Sequence, residues 1–187
     1  MSERMYVTTH FLQMHTPPNE DAVPAPSDTK VVPARNVSAS DYRDLYNGVG
    51  APWLWYERSE LSDQEITQLI TEPSVTIYTL QSAGETAGYT ELRRQPKHEM
   101  QILYFGLLPK HIGKGLGQFF LDWTVREAFS MDIKRLWVHT CSLDHPRALA
   151  AYQQSGFAPY RRESGWVSAA PRLLRSVTSC RRRSVRR

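Results

Sequence analysis

Hydrophobic and polar positions change their period along this chain, and each change marks an element. Residues 5–14, MYVTTHFLQM, are rich in β-branched and aromatic side chains and predict a strand. Four prolines in residues 15–28, HTPPNEDAVPAPSD, make the next stretch a loop. TKVVPARNV, residues 29–37, predicts a second strand at a sheet edge, because Pro33 has no N–H to donate to a ladder. Residues 38–50, SASDYRDLYNGVG, predict a helix with a serine start, early acids at Asp41 and Asp44, and glycines at its end. A second helix covers LSDQEITQLITE, with Ser62 or Asp63 as its cap. SVTIYTL, GETAGYTEL and HEMQILYFGLL then predict three strands, with turns at Gly84 and at Gln95–Lys97, in an antiparallel meander.

The run ILYFGLL, residues 102–108, suits a central strand covered on both faces, with Gly106 marking a bulge or a close backbone approach. QFFLDWTVREAF, residues 118–129, carries apolar residues on more than one face and predicts a largely buried helix. IKRLWVHTC predicts another strand, HPRALAAYQQSGF a short helix ended by Gly156, and FAPYRRES a last strand. There is no internal repeat.

Composition changes this picture in one place. With 187 residues, 41% of them hydrophobic and 22% charged, the chain suits one soluble domain. No apolar run approaches the roughly 18–20 residues of a membrane span, and MSERMYVTTHF lacks the form of a signal peptide, so a cytoplasmic location away from membranes is expected. Two cysteines, Cys141 and Cys180, make no disulfide framework. The net charge of +4 is carried by the end of the chain: residues 171–187 hold seven arginines and no acid. Without them the body has 16 basic against 19 acidic residues, which excludes a basic face for specific nucleic-acid binding. The chain therefore divides into an N-terminal strand and Pro-rich loop belonging to the domain (1–28), the domain proper (29–165) and a basic tail (166–187). Residues 176–187 are expected to be loosely held, because clustered arginines repel along a strand. Such a tail is either merely solvated or binds RNA, DNA or acidic lipid without specificity.

The chemistry begins at LLPKHIGKGLGQFF. Gly113, Gly115 and Gly117 separate the central strand from the buried helix. A helix start offers amides without internal partners and the positive end of the dipole, so it favours an anion, and glycines let a phosphate come close. Neither the P-loop spacing nor G-x-G-x-x-G is present.

FGLLPKHIGKGLGQFFL, then RLWVHT, then ALAAYQQSGF together resemble the GNAT family, the GCN5-related N-acetyltransferases, in detail over about residues 85–160 and in element order over about 30–165. The resemblance implies an α/β (α+β) fold with a central mixed, mostly antiparallel sheet flanked by helices. It implies acetyl-CoA as co-substrate and no metal. The backbone at Leu107 and Leu108 would meet the pantetheine arm, and the amides of Gly113, Lys114, Gly115, Leu116, Gly117 and Gln118 the pyrophosphate. Ile112 stands where the family motif has Arg or Gln. Tyr152 matches the tyrosine that faces the cofactor sulfur. His145 stands where many relatives have Asn, and either contacts the arm or caps the following helix.

An amine must lose its proton before it attacks a thioester. Gln101 occupies the position of a glutamate that serves as base in several relatives, and it cannot take a proton. Glu91 and Glu99 are the candidate bases on the strands, with Glu91 preferred as the deeper one; each is otherwise a solvated or ion-paired strand residue. Trp53, Trp55 and Tyr56 lie in the segment that borders the acceptor in the family, and either shape a pocket for an apolar or cationic acceptor or fill core between two helices. His139, Cys141, Asp144 and His145 lack zinc spacing. The expected activity is direct acetyl transfer to a small-molecule amine. A protein lysine or N-terminus as acceptor, and an acyl-CoA-binding module without catalysis, are the alternatives. A homodimer is left open.

Overall fold

The computed structural model describes residues 4–168. The order of elements is β1 (Arg4–Met14), β2 (Thr29–Pro33), α1 (Ala39–Gly50), α2 (Asp63–Ile70), β3 (Val75–Ser82), β4 (Glu85–Gln95), β5 (Glu99–Leu107), α3 (Leu116–Ser130), β6 (Arg135–Cys141), α4 (Ala148–Gln154) and β7 (Ala158–Ser168). Single helical turns follow α1 at Ala51–Trp53 and β5 at Pro109–His111. The arginine-rich residues 176–187 lie outside the described residues.

Local chemistry sets the helix starts. The Ser38 hydroxyl accepts from the Asp41 amide at the head of α1. At α2, Ser62 and Glu65 form a reciprocal capping box, each side chain bonded to the other's backbone amide. That motif typically contributes about 1 kcal/mol.

All the strands lie in one sheet, in the order β2-β3-β4-β5-β6-β1-β7. Every neighbouring pair is antiparallel except β5 with β6. Pro33 does sit on an edge strand, as its missing donor requires. One layer of core, which includes Leu12, Leu92, Ile102, Leu121, Val125, Leu136 and Tyr152, packs α3 and α4 on the sheet. A second, with Tyr42, Tyr46, Val49, Ile66, Tyr89 and Tyr104, packs α1 and α2. At Gly106 an added Cβ would come within 2.4 Å of Val49 Cγ1, so the glycine is where α1 lies close on β5. No helix among the described residues is long and apolar enough to cross a membrane.

Two features differ from the sequence reading. The last strand runs on to Ser168, four residues past FAPYRRES, because Gly165–Ser168 pair with Arg4–Val7. The first strand, expected only as part of the domain, is interior to the sheet. β1 lies between β6 and β7 and pairs with both over most of its length. Its Leu12 is fully buried. The loop behind it is tied to α3, since the Val23 amide donates to Asp122 and Arg126 donates to the Glu20 carbonyl.

An interior strand should carry interior energetics. Leu12→Ala is expected to destabilise the protein by about 2–5 kcal/mol, read from the midpoint of urea unfolding. A loss of less than about 0.5 kcal/mol, the usual range for surface positions, would show that β1 is only laid on the sheet.

Candidate active site

The parallel β5–β6 ladder is short. It covers Glu99–Ile102 against Arg135–Val138 and then stops, although β5 runs on to Leu107 and β6 to Cys141. A register shift on the other side of β5 sets the point of divergence: Glu91 pairs with Tyr104 but Leu92 with Ile102, so Leu103 is an extra residue. Such a bulge bends its strand and raises the local twist. Beyond Ile102 the backbone edge of β5 that faced β6 has no strand partner, while its other edge stays bonded through to Leu108 N–H and the Ala87 carbonyl, 2.8 Å. The result is a wedge that widens towards Leu107 and Leu108.

The glycine loop stands at the wide end. Gly113 and Gly115 have φ of +84° and +76°, a region where side chains are strained, and a Cβ at either would meet nothing within 4 Å. Both the conformation and the open space suit an anion approaching the backbone. Gly115 precedes α3 with no side chain capping the helix, so the first amides of Leu116, Gly117 and Gln118 lack a side-chain partner. Lys114, Ile112 and Gln118 are exposed, and Leu116 is buried in the core below. His111 is 5% exposed with neither ring nitrogen bonded, and burial together with Lys114 and Lys110 holds its pKa below the ordinary imidazole value.

Tyr152 projects from α4 into the same region, with its ring centroid 6.4 Å from that of Phe105 on β5. Burial, and then Asp144, push its pKa up, so the phenol stays protonated. His145 accepts from the Arg147 amide at 3.1 Å in the turn before α4, which has no side-chain cap, and its ring meets Trp53 edge-on at 5.0 Å.

The aromatic segment after α1 separates into three placements. Trp55 packs against Tyr104 of β5 at 5.1 Å and Tyr46 of α1 at 5.6 Å. Its indole N–H donates to Asp144 Oδ1 at 3.2 Å, on the β6 side of the wedge. Trp55 therefore spans the opening. Trp53 lies on His145, and Tyr56 is exposed.

Neither expected carboxylate stands free. Glu91 is fully buried, and its two oxygens take Arg58 Nη1 at 2.8 Å and Nη2 at 2.9 Å, with the Tyr42 hydroxyl also donating at 2.8 Å. Arg58 in turn bonds Tyr42 and lies 4.7 Å from the Tyr104 ring centre. Burial works against the Arg58 charge, but Glu91 more than offsets it, and the guanidinium pKa stands above its ordinary value. Burial and Glu91 likewise push Tyr42 up, and burial takes Tyr46 to about 12. Glu99 is bonded to Arg135 at 2.9 Å and sits at the narrow end of the wedge, about 26 Å along β5 from Leu107 by strand rise. Gln101 is buried beside it. Both strand carboxylates are thus ion-paired, the alternative that the sequence left for each.

Residues that the sequence assigned no role in acetyl transfer complete the site. Asp144 accepts from the Thr140 hydroxyl and the Cys141 amide at Oδ2, both at 2.8 Å, and from Trp55 at Oδ1. Tyr104 donates to Glu57 Oε2 at 2.7 Å. The side chains of Glu57 and Arg58 follow the aromatic cluster directly in WLWYER, and that adjacency was the one available signal. A concavity of about 570 Å³ at the β2–β3 edge, lined by Asp28, Lys30 and Gln81 among others, lies away from the wedge and from all of these groups. Among the described residues no three His, Cys, Asp or Glu side chains cluster as metal ligands.

A split parallel pair beside an uncapped, glycine-led helix defines the class of acyl-CoA N-acyltransferase folds. A profile of the acetyltransferase (GNAT) family matches residues 40–157, and the chain belongs to that family. A mycothiol acetyltransferase from Jonesia denitrificans is 27% identical over 142 residues, which is 72% of this chain and 45% of that protein, so the chain spans less than half the length of that curated relative. A spermidine N-acetyltransferase from Vibrio cholerae, solved with CoA and spermine, superposes with a TM-score of 0.61 at 15% identity, over 77% of this chain and 97% of that one. A ribosomal-protein alanine N-acetyltransferase from Escherichia coli superposes at 0.57 with 12% identity, over 76% and 94%. At these identities the two structures share the fold.

Glu91→Gln keeps the shape of the side chain but leaves Arg58 a buried charge without its counter-ion. The expected loss is about 3–5 kcal/mol of stability by denaturant unfolding. Glu99→Gln, at a half-exposed pair, should cost no more than about 1 kcal/mol. Equal losses would show that the Arg58 pair is not what holds the α1–α2 loop.

Proposed function

We propose that this chain transfers the acetyl group of acetyl-CoA directly to the amine of a small molecule. The observation that carries the reading is the wedge between β5 and β6, which opens onto the glycine loop at one end and onto Tyr152 and Trp55 at its walls. The chain's residues fit the co-substrate. The unpaired edge of Leu103–Leu107 offers backbone groups to the amides of the pantetheine arm, and a buried backbone group needs such a partner. The amides from Gly113 to Gln118 suit the pyrophosphate, with Lys114 adding positive charge. When bound, acetyl-CoA supplies an activated acyl carbon and a thiolate leaving group. Tyr152, held protonated, donates a hydrogen bond or a proton where the sulfur departs. Trp55, backed by the buried Tyr46 and Tyr104, forms the acceptor wall, where an amine cation gains from an aromatic face.

The particular amine is open to the same test that separates the alternatives. Thiol release from acetyl-CoA is to be followed across small amines, lysine peptides and peptides with a free N-terminus. Release with small amines and not with peptides supports this reading. Release with peptides alone moves the acceptor to a protein, and acetyl-CoA binding without release leaves a binding module. The location we expect is cytoplasmic.

Two variants test the parts. Gly115→Val, which strains a left-handed backbone and places a side chain where the phosphate approaches, should weaken acetyl-CoA by at least about tenfold in calorimetry, roughly 1.4 kcal/mol. Unchanged affinity in a folded variant would remove the phosphate from the glycine loop. Tyr152→Phe should lower turnover by about 10²-fold or more while the acetyl-CoA affinity stays within a few-fold. Turnover within twofold of the parent would mean that Tyr152 only packs.

A further inference from the structure

We propose that Glu57, aimed by Tyr104, is the base that takes the proton from the acceptor amine. This rests on the acetyl-transfer reading above. The carboxylates around the wedge differ in what already occupies them. Glu91 has both oxygens on Arg58. Asp144 has Oδ1 on Trp55 and Oδ2 on Thr140 and Cys141. Glu99 is paired with Arg135 at the closed end. Glu57 alone among them is exposed, and its one hydrogen bond, from Tyr104 to Oε2, leaves Oε1 open.

Its position is fixed despite the exposure. Tyr104 is 9% exposed and stands on β5 two residues past the point where the ladder parts. Its ring touches Trp55 and Tyr46, each at 5.1 Å between centroids, so the hydroxyl that holds Glu57 belongs to the acceptor wall itself. Burial, with Tyr46 and Glu57, raises the pKa of that hydroxyl and keeps it a donor. The other charges near the pair come from three elements. Arg58 of the same loop lies over the Tyr104 ring, but its charge is matched by Glu91 of β4. Tyr46 and Tyr42 of α1 are neutral phenols with raised pKa values. Glu57 and Asp144 are the carboxylates at the wall without a bonded cation among the described residues, and of the two only Glu57 keeps an oxygen open, which suits an ammonium arriving there.

The step balances with the groups named. One N–H bond of the ammonium breaks, its proton goes to Glu57 Oε1, and the electron pair stays on nitrogen. That nitrogen bonds to the acyl carbon, the C–S bond breaks with its pair going to sulfur, and the second amine proton ends on the thiol. Glu57 then returns its proton to solvent. The net change is ammonium plus acetyl-CoA to amide, CoA thiol and one proton.

The test uses the full chain with spermidine, propylamine and an alanine-initiated hexapeptide as probes, and thiol release as readout. Glu57→Gln should lower kcat/KM at pH 7 on the best probe by about 10²-fold or more. The deficit should shrink as pH rises towards the amine's own pKa, where free amine no longer needs a base. The acetyl-CoA Kd should not move, Glu57→Asp should restore much of the rate, and Tyr104→Phe should shift the acid limb of the profile. Glu60→Gln, a nearby exposed carboxylate, is the control and should match the parent. A Glu57→Gln profile parallel to the parent's, or an equal loss in Glu60→Gln, overturns the assignment while acetyl transfer stands. A parent that binds acetyl-CoA yet releases no thiol with any probe overturns acetyl transfer, and the role of Glu57 with it.

Discussion

Four residue pairs of parallel ladder, ending at Ile102 and Val138, set the conditions for everything built around them. Backbone N–H and C=O groups must find partners, and a strand that leaves its neighbour gives up one set of them. The extra residue at Leu103 causes the departure by bending β5 away, while the antiparallel bonds to β4 keep it in the sheet. The helix that follows starts without a side-chain cap. Two kinds of unmet backbone donor and acceptor thus face one opening, and a ligand with amides along its arm and phosphates at its end answers both. In the proposed reading, the flexible glycines are at that junction because the backbone itself meets the ligand.

The opening needs walls that do not drift, and the α1–α2 loop has little regular structure to keep it in place. Arg58 supplies the anchor. Taking an arginine and a glutamate out of water costs several kcal/mol per ion, so the pair with Glu91 does not account for stability. Its physical effect is selective: any shift of the loop that parts the two ions leaves both buried and alone. The Tyr42 hydroxyl, bonded to Arg58 and Glu91 alike, adds a third point from α1. Trp55 and Glu57 closely precede Arg58 in the chain, so fixing Arg58 fixes the wall.

The sequence made the cofactor side legible and left the acceptor side mostly dark. Gly113–Gln118 could be proposed from the sequence because a local run supplies consecutive amides, and a local run is what a sequence displays. Tyr152 was proposed through its match to the family tyrosine. Glu91 was rightly seen as the deeper strand carboxylate, but its depth is what pairs it: the partner, Arg58, comes from a loop 33 residues earlier, and no period links the two. Glu99 and Gln101 share a strand with the opening, yet a strand has length, and the chain gives no sign of where along it the ladder parts. Trp53, Trp55 and Tyr56 looked like one cluster because they are neighbours in sequence. A left-handed backbone at Leu54 helps send them to separate surroundings.

The insertion of β1 between β6 and β7 bears on the same site. Residues 139–141 of β6 are the ones that β5 abandons, and β1 pairs with all three, through Phe11, His10 and Thr9. Beyond them, Thr8 and Ser142 exchange bonds, the Thr8 amide to the Ser142 hydroxyl and the Ser142 amide to the Thr8 carbonyl. Without that second edge the end of β6 would be a strand unpaired on both sides. Its Thr140 and Cys141 are what hold Asp144, and Asp144 holds the indole of Trp55. A continuous line of hydrogen bonds therefore runs from a strand near the start of the chain, through β6, to the aromatic wall on the far side of the wedge. The sheet can afford to open on one edge of β6 because the other edge is closed by a segment distant in sequence, and the position of the acceptor wall depends on that closure as much as on the loop that carries it.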